Sequence, residues 1–227
     1  MMRRGWKALS DFWETDRSLS TLLLLLIVSA LVLPPLLPEG RARGPVSDVV
    51  FSLLIVAGMV AVWREKRWVF RLVVAFGLIA LPIRWAAWIA PGRVLATWSV
   101  ATAIVALSLL TVVVLVKVLR PGTITIYRLE GAVAAYLLFG LVWAKAYEWV
   151  ALAHPGAFAG AVGGDVARSP WVYYSLVTLT TMGYGDITPV HPVARSLATG
   201  EALTGQLYLA ILISRLVALE LQSRKAD

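Results

Sequence analysis

The chain has 227 residues, 59% of them hydrophobic and 15% charged, with a mean hydropathy of +0.79; this balance excludes an ordinary soluble domain and indicates an integral membrane protein. It contains no cysteine, which excludes disulfides, thiolate metal sites and cysteine catalysis. Its net charge of +8 comes from lysines and arginines lying between apolar runs, a pattern of membrane topology and not of a nucleic-acid-binding patch.

About 20 mostly apolar residues are needed to cross the hydrocarbon core as a helix. Residues 1–17 are mixed and polar and read as a cytoplasmic N-terminal segment. Ser18 to Leu37 is leucine-rich and closed by Pro34, Pro35 and Pro38. Its length, and the prolines and Arg41 that follow it in place of a small-residue cleavage site, predict a spanning helix and not a cleaved signal peptide. Ser47–Trp63, Trp68–Ala90 and Val94–Leu119 are three further runs, separated by Arg64–Arg67 and Pro91–Arg93. A fifth covers Gly131–Leu152, followed by an Ala/Gly-rich loop. The apolar segment Trp171–Thr181 is too short to span and reads as a re-entrant helix, and a final run covers Arg195–Leu219. The predicted fold is an all-α membrane protein of six transmembrane helices plus a re-entrant helix and a glycine loop.

Of the 21 lysines and arginines, 13 fall on one side of these spans and 5 on the other, with Arg84, Lys145 and Arg215 inside them. The positive-inside rule then predicts both termini in the cytoplasm and the glycine loop near the outer face, in a cell membrane. Trp63, Trp68, Trp85, Trp88, Trp149 and Trp171 lie near span ends, where an amphipathic indole favours the interface.

The glycine loop sits in "TLTTMGYGDITP", Thr178 to Pro189. Irregular backbone at membrane depth is tolerated only where protein buries it or where it lines a water-filled path. Gly183 and Gly185 can take backbone angles closed to other residues, so that successive carbonyls turn to one side and form a row of cation ligands. "TTMGYGD", Thr180 to Asp186, resembles the selectivity-filter signature of potassium channels, T-V-G-Y-G-D, in the same order of short pore helix, filter and inner helix. The resemblance covers roughly residues 130 to 220.

It implies that K⁺ is the permeant ion and that the Thr181 hydroxyl and carbonyl, with the carbonyls of Met182, Gly183, Tyr184 and Gly185, replace its hydration shell. Thr180 and Asp186 flank that row. Met182 and Tyr184 would point their side chains away from the axis and pack behind the filter. Met182 departs from the usual valine, which puts filter rigidity in question more than selectivity, because the ligands are backbone. Val177 stands where some family members carry a glutamate, leaving Tyr173, Tyr174 or water to brace Asp186. Gly205, and less strongly Gly200, match an inner-helix hinge glycine; close packing of helices through a small residue is the alternative. One filter motif per chain implies a homotetramer.

Two charged residues within the spans, Lys145 and Glu201, fall at similar depth and are expected to pair between outer and inner helix; a snorkelling lysine and a water-bathed glutamate are the alternative. Lys117 and Arg120 end the fourth span at the cytoplasmic face, where they control topology and can meet anionic lipid.

The sequence therefore divides into residues 1–17, a four-helix domain over 18–120, a linker over 121–130, a pore domain over 131–219 and a cytoplasmic tail over 220–227, with no ligand-binding domain expected after Leu219. The plan resembles a six-segment, single-pore-loop channel of prokaryotic type. From Leu95 to Val116 the fourth span carries no charge, and Arg71 and Arg84 in the third are too far apart to form a ladder, so steep voltage sensing is not expected. The function so implied is a potassium-selective channel needing no cofactor, with a weakly selective or nonselective cation channel as the alternative. An intramembrane serine protease is disfavoured because His154 and His191 both fall in outer loops, and a transporter because related ones carry four pore motifs in one chain.

Overall fold

A computed structural model describes residues 17–32, 36, 49, 51–58, 67–90, 92–119, 126–160 and 170–223. Residues 1–16, 64–66, 121–125, 168 and 224–227 are among those that lie outside the described residues.

The first apolar run forms α1, Arg17–Ile27, and then widens into a π turn over Val28–Val32. Residues 51–58 are helical within the second run. The third and fourth runs are α2, Arg67–Ile89, and α3, Arg93–Val118. The fifth run is α4, Ile126–Ala153, which starts five residues before the expected Gly131 and so takes up half of the expected linker. The early start has a polar anchor, because Ser20 of α1 donates to the Glu130 carboxylate.

The short segment is α5, Trp171–Leu179, and the last run is α6, Pro192–Ser223. Proline suits that first position because its missing N–H would be unpaired there in any case. Among the described residues, α3, α4 and Pro192–Arg215 of α6 are long and apolar enough to cross a membrane, and Leu19–Val32 and Val73–Ala87 are shorter apolar helices.

Buried side chains form two apolar clusters. One joins α1, residues 51–58, α2, α3 and the first half of α4, through Leu19, Leu22, Leu54, Leu107, Leu110 and Leu138. Arg84, inside α2, lays its guanidinium 4.5 Å from the ring centre of Phe51, a cation–π contact that shelters the charge against the second run. The other cluster lies at the far end of α4 and gathers Tyr147, Phe158, Trp171, Tyr174, Ile187 and Ala194. Its aromatic rings pack edge-on or tilted, with Tyr147 and Phe158 each against Tyr174 and Phe158 against Trp171.

The all-α expectation needs one correction, a two-stranded antiparallel ribbon. β1, Phe158–Gly160, pairs with β2, Ile187–Pro189, with Gly160 opposite Ile187. The ribbon exists because the chain leaving the glycine loop has unpaired amides and carbonyls, and the Ala/Gly-rich loop brings a bare backbone against them. Gly160 has φ +103, and a Cβ there would stand 1.9 Å from the Asp186 carbonyl oxygen. Beyond the ribbon, the Ala157 carbonyl accepts the amides of Val190 and His191 at 2.9 and 3.1 Å.

Gly160→Ala is expected to cost more than about 2 kcal/mol, because a backbone clash adds to the left-handed strain. Gly156→Ala is the control: Gly156 also has positive φ, but nothing lies within 4 Å of its missing Cβ, so strain of about 1 kcal/mol is all it should lose. Thermal unfolding of the two variants in detergent would order them, and equal losses would contradict the close approach.

Candidate functional site

The glycine loop grows out of the C-terminal end of α5, where a helix leaves carbonyls without intrahelical partners. The Val177 carbonyl takes two amides from the loop, Met182 N at 2.9 Å and Gly183 N at 3.3 Å, and the Thr178 carbonyl takes Thr181 N at 2.9 Å. Tyr136 of α4 donates its hydroxyl to the Leu179 carbonyl at 3.1 Å. The loop backbone is therefore held at its entrance by the helix end that precedes it.

Positive φ recurs at every second residue: Thr181 at +58, Gly183 at +57 and Gly185 at +79, with Met182 and Tyr184 between them on the negative side. For the β-branched Thr181 this is an outlier costing about 1–2 kcal/mol, and such strain persists only where the surroundings enforce it. Regular alternation of backbone handedness turns amides to one side of the strand and carbonyls to the other. Nothing lies within 4 Å of the missing Cβ atoms of Gly183 and Gly185, so within one chain the backbone angle and not crowding calls for glycine.

At the exit, the Asp186 carboxylate accepts from the Tyr173 hydroxyl, and that bond is the main cause holding the Tyr173 phenol above its ordinary value. The two tyrosines expected to brace Asp186 thus divide their roles, since Tyr174 is buried in the aromatic cluster beside Tyr147. Arg195 Nε donates to the Pro189 carbonyl at 3.1 Å, fastening the first turn of α6 to β2. His154 and His191 stack on one another with ring centres 4.2 Å apart, and His191 Nδ1 accepts the Val193 amide, which leaves the ring proton of neutral His191 on Nε2. Met182 and Tyr184 are 58% and 67% exposed on the single chain.

The expected Lys145–Glu201 pair is not formed. Lys145 Nζ lies 2.6 Å from Glu148 Oε2, one turn along the same helix. Glu201 is fully buried, accepts from the Tyr147 hydroxyl of α4 and lies 2.5 Å from Ser175 Oγ of α5. The reason is rotational: Lys145 and Tyr147 are two residues apart on α4, about 200° around its axis, so only one of them can face α6. Depth alone could not distinguish them.

At Gly205 the close-packing alternative describes what is found. α6 runs unbroken through it, and a Cβ there would stand 2.2 Å from the Leu179 carbonyl oxygen. Gly200 is less constrained, with Trp143 at an ordinary 3.5 Å. Sequence reading overlooked Ser175, Tyr147, Gly160 and Gln206, whose Nε2 reaches Thr181 Oγ1 at 3.3 Å. A signal was present for two of them, since Ser175 and Gln206 are polar residues within apolar runs. Among the described residues no group of three or more His, Cys, Asp or Glu side chains is gathered to hold a metal.

A double-mutant cycle checks the corrected pairing. The stability effects of Lys145→Met and Glu201→Gln should add within about 0.5 kcal/mol, whereas those of Lys145→Met and Glu148→Gln should couple by about 0.2–0.5 kcal/mol or more, given their part burial. Strong coupling between Lys145 and Glu201 in chemical denaturation would restore the original pair.

Residues 133–221 match the protein-family model described as Ion channel. The chain is 36% identical over 84 residues to a protein described as two pore potassium channel c from Oryza sativa subsp. japonica, covering 37% of this chain and 17% of that protein. It is 35% identical over 81 residues to the inward rectifier potassium channel Kirbac3.1 of Paramagnetospirillum magnetotacticum, covering 36% and 24%. The match thus spans about a fifth of each relative's length. No solved structure matches the chain. The matched segment holds α5, the alternating-handed glycine loop and α6, and over that segment the chain is similar to ion channels and to potassium channels.

Proposed function

We propose that the protein is a potassium-selective channel in which four copies surround one axis and K⁺ passes down its electrochemical gradient. The carbonyls of Thr181, Met182, Gly183, Tyr184 and Gly185, with the Thr181 hydroxyl, would take the place of its water shell. One observation carries this reading, the left-handed φ at Thr181, Gly183 and Gly185, which gives a row of carbonyls facing one side. K⁺ is the permeant ion and no cofactor takes part.

The homotetramer is supported by what one chain leaves uncovered. Met182 and Tyr184 are more than half exposed, and Leu203, Leu207, Ile211 and Ile213 of α6 are 59–61% exposed. Neighbouring copies would cover these groups and close the ring of carbonyls. The charge bias supports six spans with both termini cytoplasmic, α5 re-entrant from the outer side and the filter at the outer mouth of a cell membrane. Residues 18–120 would form a four-helix domain beside the pore, surrounded by lipid. With no charge from Leu95 to Val116, it would not drive steep voltage gating, since moving one charge through 100 mV supplies only about 2.3 kcal/mol and several are needed.

Single-channel recording of the purified protein in bilayers with asymmetric K⁺ and Na⁺ tests the proposal. The reversal potential should follow the K⁺ gradient and ignore Na⁺; a reversal potential indifferent to exchanging the two would mean a nonselective cation channel. Gly183→Ala, which puts about 1–2 kcal/mol of strain into every subunit, should lower K⁺ conductance at least about tenfold. Tail currents should show no steep sigmoidal dependence on voltage.

A further inference from the structure

Glu201 poses a hydrogen-counting problem. Its Oε2 accepts from the Tyr147 hydroxyl, and its Oε1 lies 2.5 Å from Ser175 Oγ. Ser175 Oγ also lies 2.7 Å from the Gly140 carbonyl oxygen of α4. A hydroxyl carries one proton, and a carbonyl oxygen only accepts. If Ser175 donates to Gly140, its oxygen and Glu201 Oε1 face each other at contact distance with no proton between them. If it donates to Glu201, the same conflict moves to the Gly140 carbonyl. One more proton, on Glu201 Oε1, resolves both: Glu201 donates to Ser175, Ser175 donates to Gly140, and Tyr147 donates to Glu201 Oε2.

The surroundings agree with a neutral acid. Glu201, Ser175 and Tyr147 are each fully buried. The titratable groups facing Glu201 are phenols, Tyr147 and Tyr136 from α4 and Tyr174 from α5. Lys145 on α4 is taken by Glu148, and no cation lies within ion-pair distance of Glu201 among the described residues. A buried carboxylate without a cation would be left with a large desolvation cost, whereas a carboxylic acid can be fully satisfied by hydrogen bonds.

We propose that Glu201 is a proton-bearing positioning residue: a neutral carboxylic acid whose proton completes the link between α4, α5 and α6 and sets where α5 delivers the glycine loop. Ser175 stands two residues before Val177, whose carbonyl takes the amides of Met182 and Gly183, so a shift of Ser175 is passed directly to the loop entrance. The functional part of this inference rests on the channel reading; the proton itself does not.

Infrared spectroscopy and K⁺ flux on the full chain in lipid vesicles separate the two. A carboxylic-acid carbonyl band should be present at neutral pH and lost in Glu201→Gln. The side-chain amide introduced by Glu201→Gln can accept from Tyr147 and donate to Ser175, so this variant should keep K⁺-over-Na⁺ flux within about twofold of wild type. Glu201→Ala, which strands the Tyr147 hydroxyl donor, and Ser175→Ala, which strands the Gly140 carbonyl acceptor, should each lower that ratio about tenfold. Ser175→Ala retains most of the packing if Glu201→Ala does not assemble. Strongly alkaline buffer should lower selective flux in the wild type and leave Glu201→Gln unaffected. A band absent from the wild type, or unchanged in Glu201→Gln, overturns the proposal, as does a loss of selectivity in Glu201→Gln equal to that of Glu201→Ala. A band lost in Glu201→Gln from a protein that conducts no K⁺ would uphold the proton and defeat the channel reading instead.

Discussion

The double use of the Val177 carbonyl is the constraint on which the functional end of the molecule depends. A nine-residue helix ends there inside an apolar environment, and its last carbonyls must find donors or carry an unpaid desolvation cost. The donors are the amides of Met182 and Gly183, folded back from the next turn of chain. In a trans peptide the carbonyl points opposite to the amide it is bonded to, so taking those two amides inward turns the carbonyls of Thr181 and Met182 outward. Satisfying the end of α5 and presenting a row of carbonyls are therefore one backbone event, and the left-handed angles at Thr181, Gly183 and Gly185 are its geometric expression.

Everything behind the loop holds that event in register. The entrance is fixed by α5, which is tied to α4 through Ser175 and the Gly140 carbonyl and to α6 through Glu201. The exit is fixed by the β1–β2 ribbon and by Arg195 on the Pro189 carbonyl. Between them, the rings of Tyr147, Phe158, Trp171 and Tyr174 fill the space with rigid bodies of few rotatable bonds. Gly205 lets α6 approach the Leu179 carbonyl more closely than any side chain would permit. The back of the loop is thus heavily determined by one chain, whereas its front faces outward, as the proposed assembly of four copies requires.

The four-helix region meets this apparatus at the opposite end of α6. Arg215 donates to the Leu119 carbonyl at the end of α3, joining a charged side chain of α6 to the helix end that precedes α4. Tyr208 of α6 donates to the Ala132 carbonyl of α4 at 2.7 Å and stacks on Tyr136, whose own hydroxyl reaches Leu179. Hydrogen bonds from side chain to backbone therefore connect α3, α4, α6 and the end of α5 in one continuous series.

The membrane class, the helical composition and the position of the glycine loop were legible in the sequence, because each follows from chemistry local to a short window. Apolar run length decides what can enter a bilayer, and the need for positive φ decides where Gly183 and Gly185 must stand. The resemblance to potassium channels was legible for the same reason, in seven consecutive residues, Thr180 to Asp186. Tertiary structure decided the partners. Lys145 and Glu201 have matching depth in the sequence, yet the rotation of α4 about its axis turns Tyr147 and not Lys145 toward Glu201. The same rotational freedom left Gly205 open to either a hinge or a close contact until Leu179 was found against it. The β1–β2 pairing joins two segments of three residues each, 27 residues apart and too short for strand propensity to announce them, and only the arrival of one backbone against another created it. Spacing along the chain determines which residues share a helix or a loop; which face meets which neighbour is set by packing between elements, and no local window contains it.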